Sequence, residues 1–250
     1  MLQGKGGRGD LNNRSIVLLK WIVFPLSLLP FALVAWRFWL AATGAQPDAL
    51  GADPVNTLTH ITGDWTMWFL LISLAVTPIR RLSPKLAWLI RFRRMLGLFA
   101  FFYATLHLAT YLFLFSGYDV NGAWEGVKSG HLSVLWANFV AVWPTIREDA
   151  MKRKFVQVGL LSWFILLLLA LTSPQWVLRR MGGKPWQRLH RWVYVAGALA
   201  VIHYWWLVKK GVLTPWRDTA VLTVLLLGRL AWVLWKRRKT TAAPRVVQAV

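Results

Sequence analysis

Long apolar runs, separated by short polar and basic segments, dominate this chain of 250 residues. A helix that crosses a bilayer needs roughly 20 consecutive, mainly apolar residues, and six runs approach that length. We predict transmembrane helices over Ile16–Trp36, Ile61–Ile79, Met95–Phe115, Phe155–Leu178, Leu189–Val208 and Thr219–Trp235. The pattern therefore predicts an all-α fold, an integral membrane bundle of six transmembrane helices.

The polar ends of the chain set the predicted domain boundaries. Residues 1–15 form an N-terminal tail, residues 16–238 the six-helix transmembrane domain, and residues 239–250 a C-terminal tail. A polar tail before an apolar run also resembles a signal peptide, but the apolar region of a cleaved signal is only about 7–15 residues long. The run over residues 16–40 is longer, and we interpret it as a retained first helix.

The distribution of lysine and arginine predicts the orientation. With the N-terminus inside, the segments that face the cytoplasm hold 19 basic residues and the outer segments hold 9. Cytoplasmic loops of membrane proteins carry such an excess, so we predict that both termini are cytoplasmic. Arg147, Lys152, Arg153 and Lys154 oppose this rule, because they fall on the outer side just before the fourth helix.

The outer segment over residues 116–154 is long for a loop. Its apolar stretch, Leu132–Val142, is too short to span a bilayer, and Pro144 is expected to close it. We predict that this stretch lies on the outer membrane surface or packs as a re-entrant piece.

Composition excludes several classes of protein. The chain has no cysteine, which rules out disulfides, covalent c-type heme and iron–sulfur clusters bound by this chain. A net charge of +21 could indicate nucleic-acid binding, but the charges border apolar spans, so we expect no nucleic-acid partner. Phosphate-binding loops and nucleophile elbows are absent from the sequence, and Asp64 is the carboxylate nearest to a span interior.

His107 and His203 lie within apolar runs, where an ionisable side chain is costly and indicates a functional site. Each lies 13 residues beyond the cytoplasmic entry of its helix, at Arg94 and His190 respectively, and both helices run in the same direction. The two histidines are therefore predicted at one height, roughly 20 Å from the inner boundary. They could clamp a heme iron from both faces, or form a hydrogen-bonded pair on a polar pathway.

The remaining candidates are less defined. His190 is predicted at the cytoplasmic edge, at the height of Arg93 and Arg94, where it could serve a second heme or a quinone, or lie near lipid headgroups. On an ideal helix, His190 and His203 would point roughly 140° apart, so one cofactor column would require a helix distortion. His60, at the outer edge, is a candidate for quinone or partner contact or a simple surface residue.

Several motifs resemble the MsrQ family, the heme-binding membrane subunits of a bacterial periplasmic protein-methionine-sulfoxide reductase system. They recur in order over about residues 16–238: Gly-Ala-Asp-Pro-Val (51–55), His-Ile-Thr-Gly (60–63), Arg-Phe-Arg-Arg-Met-Leu-Gly-Leu (91–98), Ala-Thr-Leu-His-Leu-Ala-Thr-Tyr (104–111), Leu-Leu-Ser-Trp (160–163), Leu-Thr-Ser (171–173), Trp-Gln-Arg-Leu-His-Arg-Trp-Val-Tyr (186–194) and Ile-His-Tyr (202–204). The resemblance also places the chain in the broader ferric-reductase-like transmembrane group.

The resemblance implies a function. It implies heme b bound by His107 and His203, with His190 also matching a family histidine. It implies electron transfer from membrane quinones to MsrP, a periplasmic subunit that carries a molybdenum cofactor, with location in the bacterial inner membrane. Flavin mononucleotide (FMN) is implied as a further cofactor. Arg93 and Arg94 stand where related flavocytochromes have another histidine, which leaves the number of hemes open.

Two other functions stay open at this level. A ferric or oxygen reductase would need a soluble flavin domain, and only 15 residues follow Trp235, so a separate cytoplasmic flavin reductase would have to supply the electrons. A transporter or membrane scaffold without a redox role is the alternative from another class. Bound heme would distinguish an MsrQ-like cytochrome from a transporter or scaffold without a redox role.

Overall fold

A computed structural model describes residues 12–208 and 213–241, and every regular element in the described part is a helix. Its ten α-helices are α1 (Asn13–Ala42), α2 (Pro54–Leu82), α3 (Ile90–Thr110), α4 (Val120–Lys128), α5 (Ser133–Lys152), α6 (Lys154–Leu171), α7 (Gln175–Met181), α8 (Gly183–Leu189), α9 (Val193–Leu207) and α10 (Thr214–Thr241). Most of the two predicted tails, residues 1–11 and 242–250, lies outside the described residues.

Four helices form the centre of the molecule. α2 packs along α3, α6 packs along α9, α3 adjoins α6, and α2 adjoins α9. α3 and α9 therefore stand at opposite corners of a four-helix arrangement. Around it, α1 packs on α3, α5 on α6, and α10 on both α2 and α9. A side chain on the inner face of α3 can thus meet one from α9 across the centre.

A tyrosine ties α1 to this centre. Tyr103 on α3 is almost fully buried, and its hydroxyl donates to the Ser27 carbonyl at 2.7 Å. The same hydroxyl accepts from the Phe31 amide at 3.2 Å. These two groups of α1 are four residues apart, beside Pro30, so one hydroxyl bonds to both a carbonyl and an amide of the same helical turn. The bonds tie α1 to α3 at a polar point of an otherwise apolar contact.

Four helical segments are long and apolar enough to cross a membrane: Asn13–Ala42, Pro84–Phe115, Lys154–Leu171 and Thr214–Arg238. Only a small share of the residues in each segment is buried inside the protein. Most of the apolar side chains are therefore left to face lipid. Two of the six predicted spans are not in this set. α2 is 29 residues long but carries polar residues on its inner face, such as Thr62, Ser73 and Thr77, and α9 has only 15 residues.

The long segment over residues 116–154 corrects one expectation. Pro144 does not end the apolar stretch Leu132–Val142, because α5 continues through it as far as Lys152. α4 packs on α5, and α5 packs on α6, so the segment forms a helical pair. A proline inside a helix has no amide to donate to the carbonyl four residues earlier, and the helix bends there. A helix can still continue through the proline where that carbonyl is exposed and can bond to another group.

The fourth predicted helix is shorter than expected. It was expected to reach Leu178, but α6 ends at Leu171, and α7 begins at Gln175 after a break. Pro174 explains this break, because a proline disfavours helical geometry in the residue before it. Thr172 and Ser173 instead turn their hydroxyls back to the carbonyls of Leu168 and Leu169, which satisfies the last turn of α6.

Candidate functional site

The rings of His107 and His203 meet at the centre of the four-helix arrangement. Their centroids are 6.0 Å apart, and the ring planes are nearly perpendicular, at 84°. Two metal–nitrogen bonds of about 2 Å each, in line through one ion, place the centres of two imidazole rings roughly 6 Å apart. The centroid separation of the pair is therefore compatible with two imidazoles that bind one metal ion.

Each histidine is oriented by a backbone carbonyl. His107 Nδ1 lies 3.0 Å from the Thr59 carbonyl oxygen on α2, and His203 Nδ1 lies 2.7 Å from the Phe155 carbonyl oxygen on α6. A carbonyl only accepts, so both Nδ1 atoms carry the proton and donate it. The Nε2 atom of each neutral ring keeps its lone pair, which is the state that binds a metal.

A glycine makes room for each ring. A methyl group at Gly63 would come within 3.2 Å of the His107 ring, and one at Gly159 within 2.7 Å of His203 Nδ1. Each glycine stands four residues after the carbonyl that holds its histidine, Thr59 on α2 and Phe155 on α6. In both helices, the lack of a side chain at the glycine lets an imidazole reach the backbone carbonyl one turn earlier.

Cavities flank the histidine pair on both sides. The larger, about 280 Å³, is lined by both histidines and by side chains that are mostly apolar, including Leu108, Val156 and Leu160. The smaller, about 70 Å³, lies between the same two rings and His60. The larger approaches the size of typical ligand sites, about 300–1,000 Å³. An apolar cavity with two inward imidazoles suits a flat, hydrophobic macrocycle that offers a metal to both.

The C-terminal end of α3 runs into a distorted turn beside the site. The turn over Tyr111–Phe115 is a π-helix, a rare form that concentrates at functional sites. It places the Tyr111 hydroxyl 2.9 Å from Asp149 on α5. Asp149 also pairs with Arg153 at 2.8 Å, and Arg153 lines the larger cavity. The cavity therefore has one cationic edge, next to an otherwise apolar wall.

This edge also bears on the basic residues that oppose the orientation rule. Arg153 is paired with Asp149, and Lys152 with Glu148 at 2.6 Å. The Lys152 ammonium lowers the pKa of the Glu148 carboxyl, so this surface pair remains charged. Two of the four basic residues that are predicted on the outer side are thus paired with acids one helical turn away.

His60 is exposed and lies beside the smaller cavity together with Asp64 and Tyr204. The Tyr204 hydroxyl is 3.4 Å from Asp64 and donates more closely, at 2.9 Å, to Thr214. His60 is therefore not one of the two central histidines. It shares only the smaller cavity with them.

His190 belongs to a different part of the molecule. It opens a short 3₁₀ turn, His190–Trp192, between α8 and α9, so the ideal-helix angle to His203 does not apply. Its ring stacks on Trp186 at 3.8 Å, and its Nε2 lies 3.2 Å from the Thr172 hydroxyl. His190 lines a separate cavity with Arg93 and Arg94, the two residues predicted at its height.

Sequence reasoning missed Gly63 and Gly159. Their signal is weak, since a glycine in an apolar helix has many causes. His60 to Gly63 was noticed only as a motif. Among the described residues no group of three or more histidine, cysteine, aspartate or glutamate side chains could hold a metal ion. The donors at the centre are two neutral imidazoles, and their chemistry fits heme ligation.

Known proteins give this geometry a context. Residues 62–201 match the family model described as ferric reductase like transmembrane component. A protein of Xanthomonas euvesicatoria pv. vesicatoria (strain 85-10) is 43% identical over 231 residues, covering 91% of this chain and 92% of its own. A protein of Herminiimonas arsenicoxydans is 42% identical over 229 residues, with 91% of each chain covered.

Both relatives are named protein-methionine-sulfoxide reductase heme-binding subunit MsrQ. No solved structure matches the chain significantly. The chain aligns over nearly its whole length, and the matched family model includes both His107 and the region that leads to His203. The chain therefore belongs to the MsrQ heme-binding subunits, within the ferric-reductase-like transmembrane components.

Proposed function

We propose that this chain is a b-type cytochrome whose heme is held between His107 and His203. The observation that carries the proposal is the pair itself: two inward rings 6.0 Å apart, each with Nδ1 held by a backbone carbonyl. A heme iron with two imidazole ligands carries one electron at a time without exchanging a ligand. The protein contributes ligation, a rigid orientation and an apolar wall that tunes the potential.

The proposed task is electron transfer within a methionine-sulfoxide reductase system. Electrons would enter from a membrane quinol and leave to a periplasmic molybdenum-cofactor subunit, MsrP, which performs the sulfoxide chemistry. The central pair suits this role because it lies beside an exposed outer edge that includes His60.

We further propose that six helices cross the bacterial inner membrane with both chain termini in the cytoplasm. α2, α3, α6 and α9 stand side by side around the histidines, so a membrane that contains α3 and α6 contains the other two as well. α2 is less apolar than a lipid-facing span because it directs polar residues inward. α9 gains length from α8 and the 3₁₀ turn that precede it.

The role of His190 stays open between a second heme and a quinone. Its ring is stacked on Trp186 and bonded to Thr172, and no second described histidine lines its cavity. FMN also remains part of the proposal. Its phosphate has no free cation beside the central pair, where Arg153 is already bonded to Asp149.

The test combines the absorption spectrum of the native full-length protein in detergent, which reports the ligands, with a pyridine-hemochrome assay, which measures heme per mole of protein. The wild type is expected to bind heme with a bis-imidazole spectrum. His107→Ala and His203→Ala are each expected to lose that spectrum, because one axial ligand is removed. His131→Ala is the matched control, since its exposed ring contacts only Ser129. Unchanged heme in both central variants would refute the ligand assignment.

The electron donor needs a separate experiment. Oxidised protein is mixed anaerobically with a short-chain quinol, and heme reduction is followed by absorbance. Rapid reduction by quinol alone supports the proposed donor. Reduction that requires a flavin reductase and its nicotinamide substrate would instead indicate a cytochrome that receives electrons from a separate cytoplasmic flavoprotein.

A further inference from the structure

A second large cavity, about 500 Å³, lies at the opposite end of the helices from the outer edge of the heme site. Six arginines line it: Arg80, Arg81, Arg93, Arg94, Arg191 and Arg229. They come from α2, α3, α10 and the turn that contains His190. No described acidic residue lines the cavity, and no described acid pairs with any of the six.

Some of these cations are held over aromatic rings rather than by acids. The Arg229 guanidinium lies 4.6 Å from the centre of the Tyr194 ring, and that of Arg81 lies 5.3 Å from Trp232. Arg229 lies within the sixth predicted span, and its side chain lines the cavity. Six like charges around one space repel each other, and a ring face compensates a cation only weakly. A bound anion would remove the repulsion.

Two donors on the wall point to the same missing group. The Thr77 hydroxyl and the Arg80 Nε are buried, and neither has a hydrogen-bond partner within the part of the chain that the structure describes. Both residues line the cavity. Buried polar atoms are nearly always bonded, and Nε–H can only donate. Both donors belong to the wall of a cavity lined by six arginines, and an anionic acceptor bound there would suit this wall better than a neutral one.

We propose that this cavity binds a phosphate ester, carried either by an anionic phospholipid headgroup or by a soluble phosphate monoester. Guanidinium groups present paired donors that match the oxygens of phosphate. The volume exceeds what a bare ion needs, so the phosphate belongs to a larger molecule. Under the proposed orientation the cavity opens to the cytoplasmic side, where basic pockets between membrane helices hold phospholipid headgroups.

The experiment measures thermal unfolding of heme-loaded, delipidated full-length protein by tryptophan fluorescence. Four probes are added separately: cardiolipin in mixed micelles, dioleoylglycerol in the same micelles, FMN and riboflavin. We expect a phosphate-bearing probe to raise Tm, and its phosphate-free counterpart to leave Tm unchanged. A response to cardiolipin alone assigns a lipid headgroup. A response to FMN but not to riboflavin assigns a soluble monoester.

Charge-matched variants connect the response to this cavity. Arg80→Gln combined with Arg229→Gln is expected to weaken the binding of the active probe at least tenfold. Arg179→Gln combined with Arg180→Gln is the control, because both residues are exposed on α7 and lie outside the cavity. Thr77→Val tests the site without a change of charge, and is expected to weaken the same probe by a smaller factor.

Three results would overturn the proposal. Phosphate-bearing probes could fail to stabilise the wild type more than their counterparts. The cavity and control variants could respond alike. The cavity variants could instead lose heme while their response to phosphate persists, which would assign the arginines to heme carboxylates. The spectrum of the His107–His203 heme is recorded in every sample, so failure of this site is distinguishable from failure of the proposed cytochrome.

Discussion

Gly159 on α6 lies directly against His203 on α9, so close that a methyl group at position 159 would reach 2.7 Å from His203 Nδ1. The same nitrogen bonds to the carbonyl of Phe155, one turn earlier on α6. Gly63 holds the equivalent position beside His107, with a methyl contact of 3.2 Å. The orientation of both proposed ligands thus depends on two residues that cannot themselves touch a metal.

Gly159→Ala is expected to weaken heme binding by roughly 10–100-fold, the usual effect of losing a group that orients a metal ligand. The added methyl would push the His203 ring away from the Phe155 carbonyl. Gly63→Ala is expected to have a smaller effect, since a shift of a few tenths of an ångström relieves its contact. Heme retention is measured after incubation with excess apomyoglobin, which competes for heme. We expect Gly159→Ala to retain less heme than Gly63→Ala.

Gly228→Ala is the control for these variants. A methyl group there would have no neighbour within 4 Å, although Gly228 is also in a helix, α10. Alanine favours helix over glycine by about 1 kcal/mol, so this variant is expected to keep its heme and lose no stability. Wild-type heme retention in Gly159→Ala would contradict the orienting role.

His190→Ala is expected to preserve the bis-imidazole spectrum of the central heme. His190 lies in a different cavity, and its hydrogen bond goes to Thr172 rather than to any residue of the central pair. Heme stoichiometry then decides its role: a fall by one heme per chain indicates a second heme, whereas unchanged stoichiometry indicates another ligand. Loss of the central spectrum in His190→Ala, but not in His107→Ala, would contradict the assignment of the pair.

The sequence predicts the central pair better than its surroundings. Equal spacing from the cytoplasmic entry brought His107 and His203 to one height, and their rings lie 6.0 Å apart. Spacing could not predict that α3 and α9 stand at opposite corners, because that depends on which helices pack together. Nor could it predict the break before α9, where a 3₁₀ turn separates His190 from His203.

Tertiary packing explains the other differences. Pro144 was read as a terminator, yet α5 passes through it, whereas Pro174 does coincide with a break. The two prolines differ in their tertiary surroundings, which no local pattern contains. The inward turn of Arg229 toward Tyr194 is likewise a packing result, since the same sequence position permits a cation that extends to the surface.

Tyr103→Phe is expected to destabilise the protein by about 1–3 kcal/mol, because it removes the hydroxyl that bonds to a buried carbonyl and a partly buried amide of α1. Tyr118→Phe is the control, since its hydroxyl bonds to the Leu135 carbonyl in an exposed position, and it should change stability by about 0.5 kcal/mol or less. Unfolding in mixed micelles of dodecylmaltoside and increasing SDS measures both. Equal losses would show that the Tyr103 hydroxyl contributes nothing specific.

The absence of cysteine makes the topology directly testable, because each introduced thiol is the only one in the chain. Single substitutions Lys85→Cys, Ser129→Cys and Lys184→Cys are labelled in spheroplasts with a membrane-impermeant maleimide, before and after permeabilisation. With six spans and a cytoplasmic N-terminus, Ser129→Cys reacts from outside, and the other two react only after permeabilisation. If only the four most apolar segments crossed, all three results would invert. Six spans are expected because α2 and α9 pack along α3 and α6 and supply half of the central histidine site, which a shallow position on the membrane surface would dismantle.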